Sequence, residues 1–541
     1  CFGFRLSFEL GISESVAYSI TTKTILYFFK VKYMSSTANR IIKNTGVLYA
    51  KMGITMFISL YTTRLILNSL GASDFGIFNI VGGSIAMLGF LNAAMASATQ
   101  RFMSYSEGEG NKEKQKSIFN VSFILHLVIS FIIAILLIIA GYFFFNGILN
   151  IPEGRIFAAQ VIYASLIVST MFTVMTVPYD AVMNAHENMK YYAIVGIFES
   201  LLKLIVAFIC VYSTSDKLIV YGSLMACIPL ITLTIMRIYC HRHYEECRID
   251  PKKYWNKAIM KDMTSFAGWI FLSTSSSMIG QYGLGVIINH FFGALLNAAQ
   301  GITNQINGQI LTLSNNFIKA INPIIGKSAG KRDLFLLQKA TAESTRATTI
   351  LYGMVACPIF LYTPYIMTCW LKNVPEWTVL FIRLIIICYF VELQYLSYTN
   401  AVRSVGFIKN MSKWELIINL LPIFLTYILF LNKFAPYYLY VALFISRIFL
   451  MVNTLYYAKK YCNISYSSYF KTITFPLNLI FIVITAIMFG FSTYYPCNNF
   501  LALIISVMIY FIFFIISILA IINKEEKLIL QKLIQKIKLR N

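Results

Sequence analysis

Four cations stand inside otherwise apolar stretches of this 541-residue chain: Arg447 within Tyr437–Tyr457, Lys203 within Ala193–Val211, Arg383 within Trp377–Thr399 and Arg64 within Thr45–Leu67. A cation at bilayer depth costs at least about 2.5 kcal/mol even on the gentlest insertion scale, so it faces a wet cavity, pairs with an acid or meets an anionic ligand. Anion recognition is the chemistry these residues offer. Arg447 has no acid on its own stretch, and a salt bridge crossing from one helix bundle to the other is the competing reading. Lys203 follows Glu199 by one helical turn, an arrangement that can neutralise itself. Arg383 either reaches for lipid headgroups or pairs with a carboxylate such as Glu392, and Arg64 either anchors the end of its stretch or holds Asp74.

A second set, Lys51, Arg101, Lys319 and Arg403, lies near the ends of apolar stretches, where a long cation either receives an anion or snorkels to headgroups. Glu199, His126 and Glu392 are the groups that could couple a proton or cation to movement, with His290 a further titratable side chain. Asp180 follows Pro178 at the end of a stretch and suits a hinge. Gly326-Lys327-Ser328 resembles the end of a phosphate-binding loop, but Ile321 replaces the upstream glycine and no strand precedes it, which argues against ATP hydrolysis. His241, His243, Glu245 and Cys247 match no metal-ligand spacing. No cofactor and no metal is expected.

These side chains must be positioned by membrane helices. The chain is 58% hydrophobic and 16% aromatic, too apolar for a set of soluble domains. Its net charge of +23 is dispersed in short clusters between apolar segments, which excludes a nucleic-acid stripe. The ten cysteines are scattered without close pairing. A helix needs about 20 mainly apolar residues to span the hydrocarbon core. That rule gives about fourteen spans: Thr45–Leu67, Phe78–Ala98, Ser117–Tyr142, Phe157–Thr176, Ala193–Val211, Ile219–Cys240, Ser265–Ile288, Ala298–Ile318, Ala347–Leu371, Trp377–Thr399, Lys413–Leu431, Tyr437–Tyr457, Phe475–Ser492 and Phe500–Ile522. At about 1.5 Å of rise per residue, Arg447 and Lys203 fall near the midplane.

Loops after even-numbered spans carry most of the base, including Lys112, Lys114, Lys116, Lys252, Lys253, Lys331 and Lys459, so both termini are expected on the cytoplasmic side. Loops on the other side are short and leave no room for a large external domain. The segment 1–33 has no clean apolar span and is expected to be a disordered or non-native extension, with Met34 the natural start. The tail 523–541 alternates Leu and Ile with lysines and suits either an amphipathic helix on the inner leaflet or a solvated basic terminus.

A weak internal repeat organises the spans. Arg64–Gly76 reads R-L-I-L-N-S-L-G-A-S-D-F-G and Gly285–Ala298 reads G-V-I-I-N-H-F-F-G-A-L-L-N-A, placing Gly71 and Gly293 at matching tight turns. Six spans separate the copies, which predicts parallel six-helix bundles at 34–240 and 265–460 facing each other across a cavity. A cytoplasmic linker at 241–264 joins them, and two additional helices occupy 461–522.

The stretch Ser59–Ser104, with L-Y-T-T-R-L-I-L-N-S-L-G-A-S-D-F-G-I-F-N-I-V-G-G leading to A-S-A-T-Q-R-F-M-S, resembles the opening helices of Wzx-type polysaccharide flippases in the multidrug/oligosaccharidyl-lipid/polysaccharide exporter superfamily. Its most specific part is the framework of Arg64, Gly71, Phe75, Gly76 and Arg101. The resemblance covers Met34–Ile522 and implies an all-α polytopic fold of two facing bundles, in the bacterial cytoplasmic (inner) membrane. It also implies movement of undecaprenyl-diphosphate-linked oligosaccharide, such as an O-antigen or capsule repeat unit of lipopolysaccharide-type pathways, between leaflets by alternating access.

Such a cargo needs cations for its diphosphate and polar groups for its sugars. Arg64, Lys203, Arg383 and Arg447 are then the expected cargo ligands, and Lys51, Arg101, Lys319 and Arg403 the expected cytoplasmic approach. Membrane lipids are implied neighbours, and a polysaccharide polymerase and chain-length machinery are implied partners. A cation-coupled multidrug antiporter of the same superfamily is the alternative, disfavoured by the scarcity of embedded carboxylates. A membrane-embedded polymerase or glycosyltransferase would show a long outer loop or an acidic cluster, and the chain is not expected to be an enzyme.

Overall fold

The computed structural model describes residues 40, 43–66, 68–71, 74, 77–78, 81–82, 89–148, 151–371, 374–495 and 499–521. The extension 1–33, the tail 523–541, Phe75 and Gly76 lie outside the described residues. The described chain is helical, with α1 at 43–66, α2 at Gly89–Glu109, α3 at Lys112–Phe143, α4 at Ile156–Ala185, α5 at Met189–Tyr212 and α6 at Lys217–His243. Then follow α7 at 257–292, α8 at 294–330, α9 at Leu334–Trp370, α10 at Thr378–Val405, α11 at Lys409–Leu431, α12 at Tyr438–Cys462, α13 at Tyr466–Tyr494 and α14 at Phe500–Ile521. Each span read from hydropathy falls on one of these fourteen helices, the second only in part.

Short polar side chains start the helices. Asn111, Asp216, Asn256 and Asp333 each accept hydrogen bonds from backbone N–H groups of the turn that follows, satisfying donors the helix leaves free. Gly71 and Gly293 share a positive φ, 76° and 79°, a region that glycine enters at little cost. Proline is tolerated within α4, α6, α8, α9 and α11. In α9 it breaks the helix: Tyr362 leaves helical geometry two residues before Pro364.

Among the described residues, ten helices are long and apolar enough to cross a membrane. Large apolar side chains such as Phe57, Ile138, Val286, Phe424, Ile482 and Ile515 are exposed on their outer faces, as expected where the solvent is lipid rather than water. The helices α1, α2, α7 and α8 fall outside that set, so ten of the fourteen expected spans meet the criterion; α8 carries Gln300, Asn304, Asn307, Gln309, Asn315 and Asn322 along its length.

Helices α2–α6 pack on one another, and α7–α12 do the same, with α13 and α14 leaning on α9. Tyr510 of α14 donates to the Gly353 carbonyl of α9 at 2.8 Å. The ends of the even-numbered helices gather at one pole, called here the basic end. There a single apolar core runs across both groups, through Met103, Phe119 and Tyr179 on one side and Phe266, Ile324, Tyr398 and Met411 on the other. Toward the opposite pole the core divides. Separate clusters form within α2–α6 and within α7–α14. Among the described residues the molecule is sealed at the basic end and split at the other.

Candidate functional site

The split opens as a cavity of about 630 Å³ between α1, α5, α6 and α8. Its wall is rich in hydroxyl and amide groups, among them Thr55, Ser59, Thr62, Ser200, Gln309 and Thr312. Lys203 lines it too, and its ammonium donates to Glu199 at 2.7 Å, so self-pairing and cavity exposure hold together. Toward the basic end, a second chamber of about 340 Å³ lies between α2, α4 and α8. Gln100, Asp180, Asn184, Asn315, Lys319 and Asn322 line it.

The two spaces approach each other where α1 touches α8. Tyr49 donates to the Leu313 carbonyl at 3.0 Å there. Tyr192 of α5 carries a lysine from each of these helices: Lys51 lies 4.2 Å from its ring centre and Lys319 3.8 Å, with Lys319 also donating to the phenol oxygen at 2.5 Å. Two ammonium groups thus share one aromatic platform, and cation–π attraction holds both in place. Sequence spacing placed Lys51 and Lys319 near helix ends but gave no sign that they meet.

The other expected ligands are held elsewhere. Arg447 lies 3.3 Å from Glu392 and 5.3 Å from the Tyr389 ring, in a cavity of about 100 Å³ that also contains Gln281, Gln300, Asn304 and Asn419. Its counter-ion comes from α10 of its own helix group, so the cross-bundle salt bridge is replaced by an internal one. Removing one partner of a buried pair strands the other charge and costs about 3–5 kcal/mol, whereas apolar residues at both positions are often tolerated. Accordingly Glu392→Leu should markedly lower Tm in detergent, and the double variant Glu392→Leu/Arg447→Met should recover most of the loss.

Arg383 donates to the carbonyls of Phe360 at 3.0 Å and Leu361 at 3.4 Å. Pro364 has no N–H to offer Phe360, so Arg383 supplies the donor that the kink in α9 removes. Arg64 is exposed near the end of α1 and does not line either cavity. Asp74 is held by Arg155, not by Arg64; Arg155 also reaches Asp216 at 2.6 Å, clamping the starts of α4 and α6 at the split end. The ion pair raises the Arg155 guanidinium above its ordinary value through hydrogen bonds first to Asp74, then to Asp216.

At the basic end, Arg101 of α2 donates to the Ser404 and Val405 carbonyls of α10, both at 3.1 Å, crossing between the helix groups. Arg403 turns inward to Glu415 at 3.4 Å, and Glu415 also accepts from Ser273. Lys327 binds Glu187 at 2.8 Å, again across the groups, which places Gly326-Lys327-Ser328 in a helix contact rather than a phosphate loop. His186 beside it is bracketed by Glu246 and by Glu107, the latter at 3.5 Å. His126 is buried in α3 against its own helix, with Nδ1 2.8 Å from the Ser122 carbonyl.

A family model described as polysaccharide biosynthesis protein matches residues 41–328, more than half of the chain. The chain belongs to that polysaccharide biosynthesis protein family. No curated protein matches it. Its fold is similar to that of a MATE protein in the bent conformation, with a TM-score of 0.69 at 14% identity over 82% of this chain and 98% of that one. It is also similar to an outward-facing multidrug resistance MATE family transporter of the MOP superfamily, with a TM-score of 0.67 at 14% identity over 79% and 96%. A MOP superfamily transporter from Pyrococcus furiosus, described as having a binding pocket of reverse polarity, aligns with a TM-score of 0.66 at 14% identity over 80% and 96%. This member of the polysaccharide biosynthesis family is therefore a multi-pass membrane protein with the MATE-like fold.

Proposed function

We propose that this protein flips an undecaprenyl-diphosphate-linked oligosaccharide from the inner to the outer leaflet of the bacterial cytoplasmic membrane. The observation that carries the reading is the pair Lys51 and Lys319 on Tyr192, two cations from facing helix groups set between two cavities that each carry hydroxyl or amide groups. A diphosphate presents several acceptor oxygens, and two ammonium groups can neutralise it while hydroxyls and amides of the larger cavity take up sugar hydroxyls. Lys203 extends the same wall. The basic end is cytoplasmic by its lysine content, so the sealed basic end and open split describe an outward-facing state.

In this reading the bundles 34–240 and 265–460 rock about the lysine pair, and Arg447 and Arg383 hold the second bundle's shape rather than the cargo. Glu199, Glu392 and His126 are the remaining coupling candidates. The protein moves its cargo without covalent chemistry and delivers it to a polymerase on the outer side. The test is removal of the protein from its native cell. Lipid-linked oligosaccharide should accumulate facing the cytoplasm and surface polysaccharide should fall, with both reversed by the wild-type chain. Normal surface polysaccharide together with heightened sensitivity to cationic drugs would instead favour a cation antiporter.

A further inference from the structure

Asp180 is the one acid of the chamber beneath the lysine pair among the described lining residues. The helix α4 runs on past Pro178 to Ala185, so Asp180 sits within the helix wall instead of terminating it. Its Oδ1 is enclosed without a hydrogen-bond partner among the described residues. Lys319 of α8 lines the same chamber, and Lys51 of α1 lies beside Lys319 on the Tyr192 ring. Among the described residues no ion pair with Asp180 falls within bonding distance; both lysines lean on Tyr192 instead. A carboxylate oxygen enclosed without a partner costs free energy.

We propose that Asp180 is a resident competitor for the cargo's diphosphate, an affinity-setting anion that faces Lys51 and Lys319 when the site is empty and opposes the phosphates when it is full. This rests on the lysine pair being the diphosphate site. Two lysines alone would hold a diphosphate too well to release it. One fixed negative charge in the same low-dielectric space weakens that hold and lets the cargo leave. Asp180 thereby works as a positioning residue acting through the lysines.

The experiment titrates inorganic pyrophosphate into the purified full-length protein in detergent and compares wild type with Asp180→Asn, Asp180→Ser and Asp180→Glu. The neutral variants should bind pyrophosphate on the order of tenfold tighter, because removing a like charge strengthens anion binding, and the glutamate variant should stay near wild type. A merely structural aspartate would give weaker binding on removal, never stronger. Unchanged or weaker binding by both neutral variants, with wild type binding normally, overturns the proposal while leaving the lysine site intact. Sodium-dependent thermal stabilisation lost in Asp180→Asn, with pyrophosphate affinity unchanged, overturns it in favour of a cation site. No binding by any of the four proteins removes the diphosphate site and this inference together.

Discussion

Replacing Gly330 or Gly108 with alanine should stop the basic end from closing and reduce transport by at least tenfold. These glycines sit where α2 crosses α8. A Cβ on Gly330 would overlap the Tyr105 carbonyl oxygen, and one on Gly108 would overlap that of Lys327. Both obstacles are main chain, so no side chain can swing aside, and the helices must separate. Small residues of this kind let membrane helices approach backbone to backbone. Overpacking such a contact costs about 1–3 kcal/mol, enough to shift a two-state equilibrium by one or two orders of magnitude. The measurement is alkylation of a cysteine placed at Asn184, in the lower chamber, by a reagent added from the cytoplasmic side. Labelling should be slow in the parent and fast in Gly330→Ala. Gly53→Ala, which meets nothing within 4 Å, should change neither labelling nor transport.

The second large effect is expected at the lysine pair. Lys319→Gln removes a charge and the 2.5 Å hydrogen bond to Tyr192, and Lys51→Gln removes the second charge from the same ring. A hydrogen bond to a charged group contributes about 1.5–3 kcal/mol, so each variant should bind a lipid diphosphate roughly tenfold to a hundredfold more weakly. The double variant should be inactive. Tyr192→Phe keeps the aromatic platform and loses only the acceptor, and its effect should be the smallest of the series. Affinity is read by competition with a fluorescent polyprenyl diphosphate, with Tm followed in parallel to show that the variants fold.

The helices were legible in the sequence because membrane spans announce themselves through composition. An apolar window of sufficient length has little choice but to become a helix in a bilayer. Gly71 and Gly293 were legible for a similar reason, since a turn that needs positive φ admits few residues. Lys203 and Glu199 were predictable because one helical turn brings them together on any fold.

What escaped was contact between distant segments. Arg447 and Glu392 are far apart in sequence and meet only once α10 packs on α12. Arg383 looked like an anion ligand, yet its role is set by Pro364 on a neighbouring helix. The apolar window of span four ends at Thr176 because Pro178 and Asp180 interrupt it, but a proline within a supported helix need not stop the helix. In sequence Asp180 therefore reads as a helix end, whereas it lines a chamber. Tyr192 carried no signal at all, being one tyrosine among 35.

The central claim is that this protein moves a lipid-linked diphosphate across the membrane through the Lys51 and Lys319 pair. The direct measurement is flipping of labelled undecaprenyl-diphosphate oligosaccharide in proteoliposomes made with purified wild-type protein and with Lys51→Gln/Lys319→Gln. Rapid flipping by the wild type and near-background flipping by the double variant are expected, with Arg64→Gln close to wild type. Wild-type flipping that survives loss of both lysines would contradict the proposed site, and no flipping by the folded wild type, with cation efflux in its place, would contradict the function.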